Sequence, residues 1–215
     1  MMLTLYQFEG SPYCWKVRIV LAEKGIPWAP IVPQNRDQNP EFRRLTAVGK
    51  VPVLVLEDGT SVYESTIINE YLEERYPENP LLPAGPALRA RARMVEETAD
   101  QYLGPALRSM LLARARMEGG RWVRRPDPSP SQEAEGLRAA TPYLDHLNRL
   151  VQGREHFLDR FSLADVGLIP VLGRTGRAVG LPLSERWPGL DAWLTRCLAR
   201  PSVSSTTPAP LVIHS

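Results

Sequence analysis

The amino-acid sequence predicts two domains: an α+β domain whose elements follow the order βαβαββα, and an all-α helical bundle domain after it. Strand-forming runs alternate with helical periodicity over residues 1–76, and strand signals almost vanish beyond them. Residues 77–86 lie between the two regions and contain four prolines, which is typical of a connection between domains. We therefore expect a first domain at residues 1–79, a linker at 80–86 and a helical domain at 87–215.

The first domain is predicted to begin with a strand, a helix and a second strand. The run Leu3–Phe8 is rich in strand formers and leads into a Glu-Gly-Ser-Pro turn. Ser11 is the expected N-cap of the following helix, because serine accepts a hydrogen bond from a helical N–H and Pro12 suits the first helical position. Gly25 ends this helix, and a strand at Trp28–Val32 is expected to pair parallel to the first.

A short helix, a hairpin and a third helix complete the first domain. Asn39-Pro40 repeats the pattern of a cap followed by proline and predicts the short helix. The apolar run Val51–Leu56, an Asp-Gly turn and the return at Ser61–Tyr63 predict a β-hairpin. The helix after it begins within residues 64–66, where three side chains could cap it, and ends before the next proline.

The second domain is predicted to be helical throughout. Residues 87–117 are mostly strong helix formers and predict one long helix, bent at Gly104-Pro105. Residues 121–130 hold three prolines and predict a loop. A further helix then runs to about Val151.

One local pattern fixes a helix start in this second domain. Ser162 and Asp165 have the spacing of a capping box, in which each side chain bonds the backbone N–H of the other, and Phe161 with Val166 forms a hydrophobic staple. A last helix is predicted to end at Arg200-Pro201, and the tail from Ser202 is expected to be ragged or draped over the surface.

Composition and charge exclude several classes of protein. Hydrophobic residues make up 43% and charged residues 23% of the chain, which is ordinary for a folded globular protein. The formal net charge of +2 is too small to supply the phosphate contacts of a nucleic-acid binder, so we expect no nucleic-acid partner. We find no apolar run long enough to span a membrane and no leader pattern at the start, so we expect no membrane partner and a cytoplasmic location.

The cysteines and histidines predict neither a disulfide nor a metal site. Cys14 and Cys197 lie at opposite ends of the chain. The three histidines are scattered, with no cysteine or carboxylate at the spacing of metal ligands. We therefore expect no metal.

Several motifs, in register along nearly the whole chain, resemble one family. They are SPYCWKVRIVLAEKG at the first helix, GKVPVL before the hairpin, Glu64-Ser65, PENPLLP in the linker, FSLADV at the capping box and PGLDAWLTRCLARPSV at the last helix. Together they resemble the cytosolic glutathione S-transferases, specifically bacterial members of serine type with some zeta-like character. The resemblance implies a thioredoxin-like first domain, glutathione as co-substrate, a small hydrophobic electrophile as second substrate, and a homodimer.

The resemblance also assigns roles to particular residues. Ser11 is the expected catalytic residue, because its hydroxyl and the start of the first helix would favour glutathione as thiolate. From its chemistry alone, Ser11 would more often be an N-cap and nothing else. Glutathione itself is expected at Lys50, at Val51 and Pro52, whose peptide bond is cis in the family, and at Glu64-Ser65, where a helix start would receive a carboxylate.

Three alternatives to a conjugating transferase stay open. Ser11-Pro12-Tyr13-Cys14 is similar to the Cys-Pro-Tyr-Cys of glutaredoxins, so Cys14 is the alternative nucleophile of a thiol transferase or reductase. The run CWKVRI is similar to the zeta-class isomerases of maleylacetoacetate, although their Ser-Ser-Cys run is missing. A non-catalytic binding module of the stringent-starvation type would share the fold without turnover.

Overall fold

The computed structural model describes residues 2–118 and 121–214. They form two compact units: Met1–Leu81 with Pro201–Ala209, and Leu82–Arg200 with Pro210–Ser215. The chain passes from the first unit to the second between Leu81 and Leu82, inside the predicted linker at residues 80–86. The segment Pro201–Ala209, which we predicted within the helical domain, packs with the first unit instead.

The first unit has the predicted order of elements, βαβαββα. In chain order they are β1 (Leu3–Tyr6), α1 (Pro12–Glu23), β2 (Trp28–Ile31), α2 (Pro40–Leu45), β3 (Val53–Val55), β4 (Ser61–Tyr63) and α3 (Ser65–Arg75). The α+β fold class predicted for this part of the chain is confirmed.

One mixed sheet forms the centre of the first unit. Its strand order is β2-β1-β3-β4, with β1 parallel to β2 and antiparallel to β3, and with β3 and β4 antiparallel. Leu5, Val53 and Leu54 are fully buried in the sheet, and the apolar face of α1 supplies Val17 and Val20 to the same core. The hydrophobic effect thus fixes α1 against the sheet, because both faces would otherwise expose large apolar areas.

The predicted caps of α1 and α2 and two predicted glycine turns are also confirmed, whereas the N-cap of α3, Glu64, makes no side-chain cap hydrogen bond within the described residues. Ser11 accepts a hydrogen bond from a first-turn N–H of α1, and Asn39 does the same for α2. Gly25 and Gly59 have φ angles of +62° and +88°, a region that glycine enters without steric cost. They stand at the end of α1 and in the Asp-Gly turn of the hairpin.

The second unit is mostly helical, as predicted, and also carries three short strands. Its elements are α4 (Pro86–Glu97), α5 (Gly104–Arg114), β5 (Ala115–Glu118), β6 (Arg121–Arg124), α6 (Pro130–Val151), α7 (Leu163–Pro170), α8 (Leu183–Arg186), α9 (Pro188–Ala199) and β7 (Ile213–His214). The short helix α10 (Pro201–Ser204) belongs to the first unit.

The predicted long helix is interrupted before Gly104-Pro105. A wider π-helical stretch, Thr98–Leu103, separates α4 from α5 and absorbs the break that the glycine and proline impose. The capping box at the start of α7 is confirmed, and Gly167 in that helix lets α4 approach closely. A Cβ at this position would lie 3.1 Å from the Cα of Glu96.

Two predictions about irregular segments are wrong. Residues 121–130 do not all form a loop, because β6 pairs antiparallel with β5 and parallel with β7. The tail from Ser202 is neither ragged nor draped over the surface where it begins, since α10 forms there and buries Val203 completely. Each segment has a partner far away in the sequence, β7 for β6 and α1 for the tail, and local patterns cannot show such partners.

Among the residues that the model describes, no helix combines the length and the apolar character needed to cross a membrane.

Candidate functional site

The sheet of the first unit brings three chain segments to one of its ends. In the register of the strands, Tyr6 pairs with Val53, and Val53 pairs with Tyr63. These three positions are therefore neighbours in a row across β1, β3 and β4. The loop after Tyr6 leads to Ser11, and the predicted pairs Val51-Pro52 and Glu64-Ser65 directly flank the other two positions. We call this place the β1–β3–β4 end.

Ser11 stands at the start of α1. Its backbone is extended, and its Oγ accepts a hydrogen bond from the Cys14 backbone N–H at 3.3 Å. The side chain is half-buried, and within the described part of the chain the first turn of α1 has no acidic residue. A helix start carries partial positive charge from its unpaired N–H groups. Because no carboxylate neutralises it here, this helix start favours an anion from outside.

Cys14 lies one turn into the same helix and points into the protein. Its side chain is fully buried. Burial raises the pKa of the Cys14 thiol, although a hydrogen bond with Ser11, one with the Phe8 backbone and the charge of Arg18 act in the opposite direction. A buried thiol with a raised pKa is protonated at neutral pH. Of the two side chains, Ser11 is therefore the accessible one and Cys14 the buried one.

The Val51–Pro52 peptide bond is cis, as the resemblance implied. Pro52 is buried and Val51 half-buried at the beginning of β3, so their backbone lies at the β1–β3–β4 end. Lys50, the residue before Val51, is exposed and adds a positive charge to the β1–β3–β4 end.

Glu64 and Ser65 begin α3 at the end of β4. Glu64 is exposed and has a φ angle of +69°, a conformation that a non-glycine residue adopts at a cost in free energy of about 1–3 kcal/mol. Ser65 is buried at the first helical position. The backbone strain sets the direction in which α3 begins, and its N-terminal N–H groups form a receptor suited to a carboxylate.

A buried lysine joins the two helix starts, and our sequence analysis did not single it out. Lys16 is 1% exposed and its Nζ donates a hydrogen bond to Thr66 Oγ1 at 2.8 Å. It thereby connects α1, which begins after Ser11, to α3, which begins after Glu64. Its position inside the apolar periodicity of α1 was the available sequence signal, because a lysine on a core-facing position needs a partner.

The fold also brings together a histidine, an aspartate and a cysteine in the second unit. One ligand atom each of His156, Asp165 and Cys197 lies within 4.8 Å of the others. Spacing along the sequence did not indicate this cluster. Both oxygens of the Asp165 carboxylate already accept hydrogen bonds: Oδ1 from Phe157 N and Trp193 Nε1, and Oδ2 from Ser162 N and Oγ. Their lone pairs are thus engaged by the protein, and we assign no metal to the cluster.

The comparison with protein families matches both units. The model described as glutathione S-transferase, N-terminal domain, matches residues 5–80, and the one described as glutathione S-transferase, C-terminal domain, matches residues 130–196. The first of these ranges contains every residue of the β1–β3–β4 end.

Individual relatives point in more than one functional direction. The maleylacetoacetate isomerase of Pseudomonas aeruginosa is 30% identical over 96% of this chain and 96% of its own. A stringent starvation protein A homolog of Histophilus somni is 36% identical over 105 residues, and that match spans only about half of either protein, 49% of each.

The fold of one solved structure is similar to that of this protein over the complete chain. The glutathione S-transferase of Methylobacterium radiotolerans, in complex with glutathione sulfonate, has a TM-score of 0.80 and 32% identity. The likeness covers 100% of this chain and 99% of that one.

Proposed function

Since the chain belongs to the glutathione S-transferase family, we propose that it binds glutathione at the β1–β3–β4 end and activates the thiol for attack on a small hydrophobic electrophile. The observation that carries this proposal is the half-buried Ser11 hydroxyl at the start of α1. Among the residues that the model describes, the first turn of this helix contains no acidic side chain. Glutathione is a co-substrate in this proposal, and no metal takes part.

Ser11 and the start of α1 stabilise the thiolate form of glutathione. A helix N-terminus and a donated hydrogen bond both favour the anion, and such surroundings lower thiol pKa values from about 8.5 into a range of roughly 3.5 to 7.5. The Ser11 oxygen accepts from the Cys14 N–H, so its own O–H can donate to the sulfur. This donor acts as an oxyanion hole does, on the atom where negative charge resides.

The rest of glutathione is proposed to lie along the same end of the sheet. The backbone of Val51, before the cis proline, offers hydrogen bonds to the cysteinyl part. The start of α3 at Glu64 and Ser65 receives the γ-glutamyl carboxylate. Lys50 directly precedes Val51 in the sequence, and its ammonium group is proposed to pair with the second carboxylate of glutathione. The solved relative from M. radiotolerans, which was determined with glutathione sulfonate, supports glutathione as the ligand.

The reaction follows from the thiolate. The proton of the glutathione thiol leaves to water, and the sulfur lone pair forms a bond to the electrophilic carbon. In a substitution on an aromatic halide, the carbon–halogen bond breaks and the halide departs with its electron pair. In an addition to an activated double bond, the neighbouring carbon takes up a proton from water.

The buried thiol of Cys14 weighs against a thiol transferase. Thiol–disulfide exchange needs an accessible thiolate, and burial raises the pKa of this thiol. Ser11 stands where a glutaredoxin has its attacking cysteine, so a second thiol for the exchange is missing from that position.

A glutathione-dependent isomerase is the second candidate, because the P. aeruginosa isomerase matches 96% of this chain. Such an enzyme adds the same thiolate to a carbon–carbon double bond, lets the resulting single bond rotate and expels the thiolate again. Glutathione is then regenerated, so the isomer ratio of maleylacetoacetate would change while the glutathione concentration stays constant. A binding module of the stringent-starvation type would share the fold and show neither reaction.

We test the proposal with calorimetry and a conjugation assay on the wild type, Ser11→Ala and Cys14→Ala. Glutathione should bind to all three proteins. Conjugation of an aromatic halide should fall by roughly 10²–10³ in kcat for Ser11→Ala, the loss expected for one oxyanion-type donor. It should stay within about twofold of the wild type for Cys14→Ala, because a buried thiol behaves as a small apolar group. Loss of turnover only in Cys14→Ala would favour the thiol transferase, and absence of glutathione binding by the wild type would refute the proposal.

Two further properties are proposed from the family. The protein is cytoplasmic, and it forms a homodimer, which sedimentation of the purified chain would test directly.

A further inference from the structure

We propose that the tail segment, residues 201–209, positions the catalytic serine, and that Thr206 is the positioning residue. This inference rests on the proposed function, in which Ser11 stabilises the glutathione thiolate. The tail segment and α1 belong to the same compact unit although more than 170 residues separate them in the sequence. None of the motifs that indicate the family assigns a role in the site to Thr206.

Thr206 accepts hydrogen bonds from two side chains of α1. Its Oγ1 accepts from Trp15 Nε1 at 3.2 Å and donates to the Ser202 carbonyl at 2.7 Å. Its backbone carbonyl accepts from Arg18 Nη2 at 3.3 Å. Trp15 and Arg18 are both buried, with exposed fractions of 1% and 5%. Buried polar groups of this kind need partners, so the tail segment satisfies donors that α1 cannot satisfy itself.

Arg18 carries this connection to the loop before Ser11. Its Nη1 donates to Gln7 Oε1 at 2.5 Å and its Nη2 to the Glu9 carbonyl at 3.0 Å. The guanidinium therefore joins the tail segment to the loop between β1 and α1, and Glu9 lies only two residues before Ser11. A planar guanidinium with several donors fixes the relative direction of the groups it binds.

The backbone of Ser11 is held from both sides. Its N–H donates to the Phe8 carbonyl at 3.1 Å, inside the loop that Arg18 orders. Its carbonyl accepts from the Trp15 N–H at 3.0 Å, and the side chain of that same tryptophan binds Thr206. Thr206 is thus connected to the residues before Ser11 through Arg18 and to the residues after it through Trp15.

Two more contacts attach the tail segment along α1. Ser202 Oγ hydrogen-bonds to Glu23 near the end of the helix, and the Val203 side chain is completely buried. These contacts anchor the segment, and the hydroxyl of Thr206 connects it to Trp15 near the start of α1. A displacement of about 1 Å at a reacting group can cost roughly 10² in rate, so a small shift of this helix start would be visible in turnover.

The test compares Thr206→Val with Thr207→Val. Valine keeps the branched shape of threonine and removes the hydroxyl in both variants. Thr207 is the matched control, because its Oγ1 donates to the Val203 carbonyl at 2.7 Å, and no bond from it to α1 is found over residues 2–118 and 121–214. Thr206→Ser restores the hydroxyl and serves as the rescue variant.

In the conjugation assay we expect Thr206→Val to lower kcat by about tenfold, because misplacement of a reacting group causes rate losses of this size or larger. The change in KM for glutathione should be smaller. Thr207→Val and Thr206→Ser should stay within about twofold of the wild type, since both keep the bond to Trp15. Equal kcat values for Thr206→Val and Thr207→Val would overturn the positioning role.

Trp15→Phe removes the same hydrogen bond from its other side. If the positioning role holds, the double variant Trp15→Phe/Thr206→Val should lose no more turnover than the larger of the two single losses. Additive losses would show that Thr206 acts by another route and would overturn the proposal. Thermal melting of each variant shows whether a loss arises from global unfolding.

Amide hydrogen exchange separates this proposal from the proposed function. Thr206→Val should speed exchange at Cys14 and Trp15, the first hydrogen-bonded N–H groups of α1, by about tenfold more than Thr207→Val does, because local opening there becomes easier. This result is expected whether or not the wild type conjugates glutathione. Unchanged exchange would refute the positioning role alone, whereas a wild type that neither binds nor conjugates glutathione would refute the proposed function alone.

Discussion

The helices α1 and α7 both have a serine as their N-cap, and the two serines have different surroundings. The N-cap of α1 is Ser11, and the N-cap of α7 is Ser162. The third helical position is Cys14 in α1 and Asp165 in α7. Ser162 is 1% exposed, and its N–H and Oγ both donate to the Asp165 carboxylate, at 3.0 and 3.1 Å. Ser11 is half-buried, and its cap contact is with the Cys14 N–H.

The two helix starts differ in the group that neutralises their partial positive charge. In α7 a carboxylate of the protein supplies the negative charge and saturates the cap, so the serine has a structural role. In α1 the residue at the same position is a buried thiol whose pKa is raised. That helix start therefore keeps its positive end available for an anion that comes from solution. A serine N-cap is a candidate for catalysis only where the protein does not itself provide the anion.

The largest effect is expected from the carboxylate of α7. Asp165→Ala leaves three buried N–H groups without their acceptor, those of Phe157, Ser162 and Trp193. Each such group costs about 1–3 kcal/mol, so we expect the free energy of unfolding to fall by at least about 3 kcal/mol. Urea unfolding of the variant checks this value. A loss below about 1 kcal/mol would show that the capping box is not what holds α7.

A smaller effect is expected from the serine of the same box. Ser162→Ala removes one hydroxyl and should lower the free energy of unfolding by about 1 kcal/mol. Its kcat for conjugation should equal that of the wild type, in contrast to Ser11→Ala. Unfolding and turnover measured on the same preparations check both statements. Equal losses of turnover in the two serine variants would remove the distinction between a structural and a catalytic cap.

The order βαβαββα was predictable because each of its elements is set by neighbours in the sequence. Ser11, Asn39 and Gly25 act within one turn, and the Asp-Gly hairpin pairs strands five residues apart. The row of Tyr6, Val53 and Tyr63 also needs the pairing of β1 with β3, which α1, β2 and α2 separate in the sequence. Local patterns do not predict that pairing, and the family resemblance is what assigned the site residues to one ligand.

The features that the sequence did not reveal depend on partners far along the chain. Strand β6 pairs with β7, almost 90 residues later, as well as with the neighbouring β5, and the prolines after Arg124 masked its strand formers. The cluster of His156, Asp165 and Cys197 forms only after α7 and α9 have packed. Thr206 contacts Trp15 across 191 positions. Local propensity cannot encode contacts of this separation, since they depend on the packed fold.

The most direct test of the account is the pKa of the glutathione thiol bound to the wild type and to Ser11→Ala. Thiolate absorbance, followed against pH at saturating glutathione, measures it. We expect a pKa clearly below the roughly 8.5 of a free thiol in the wild type, and a pKa higher by at least about one unit in Ser11→Ala. The same pKa in both proteins would contradict the claim that Ser11 at the open start of α1 stabilises the thiolate.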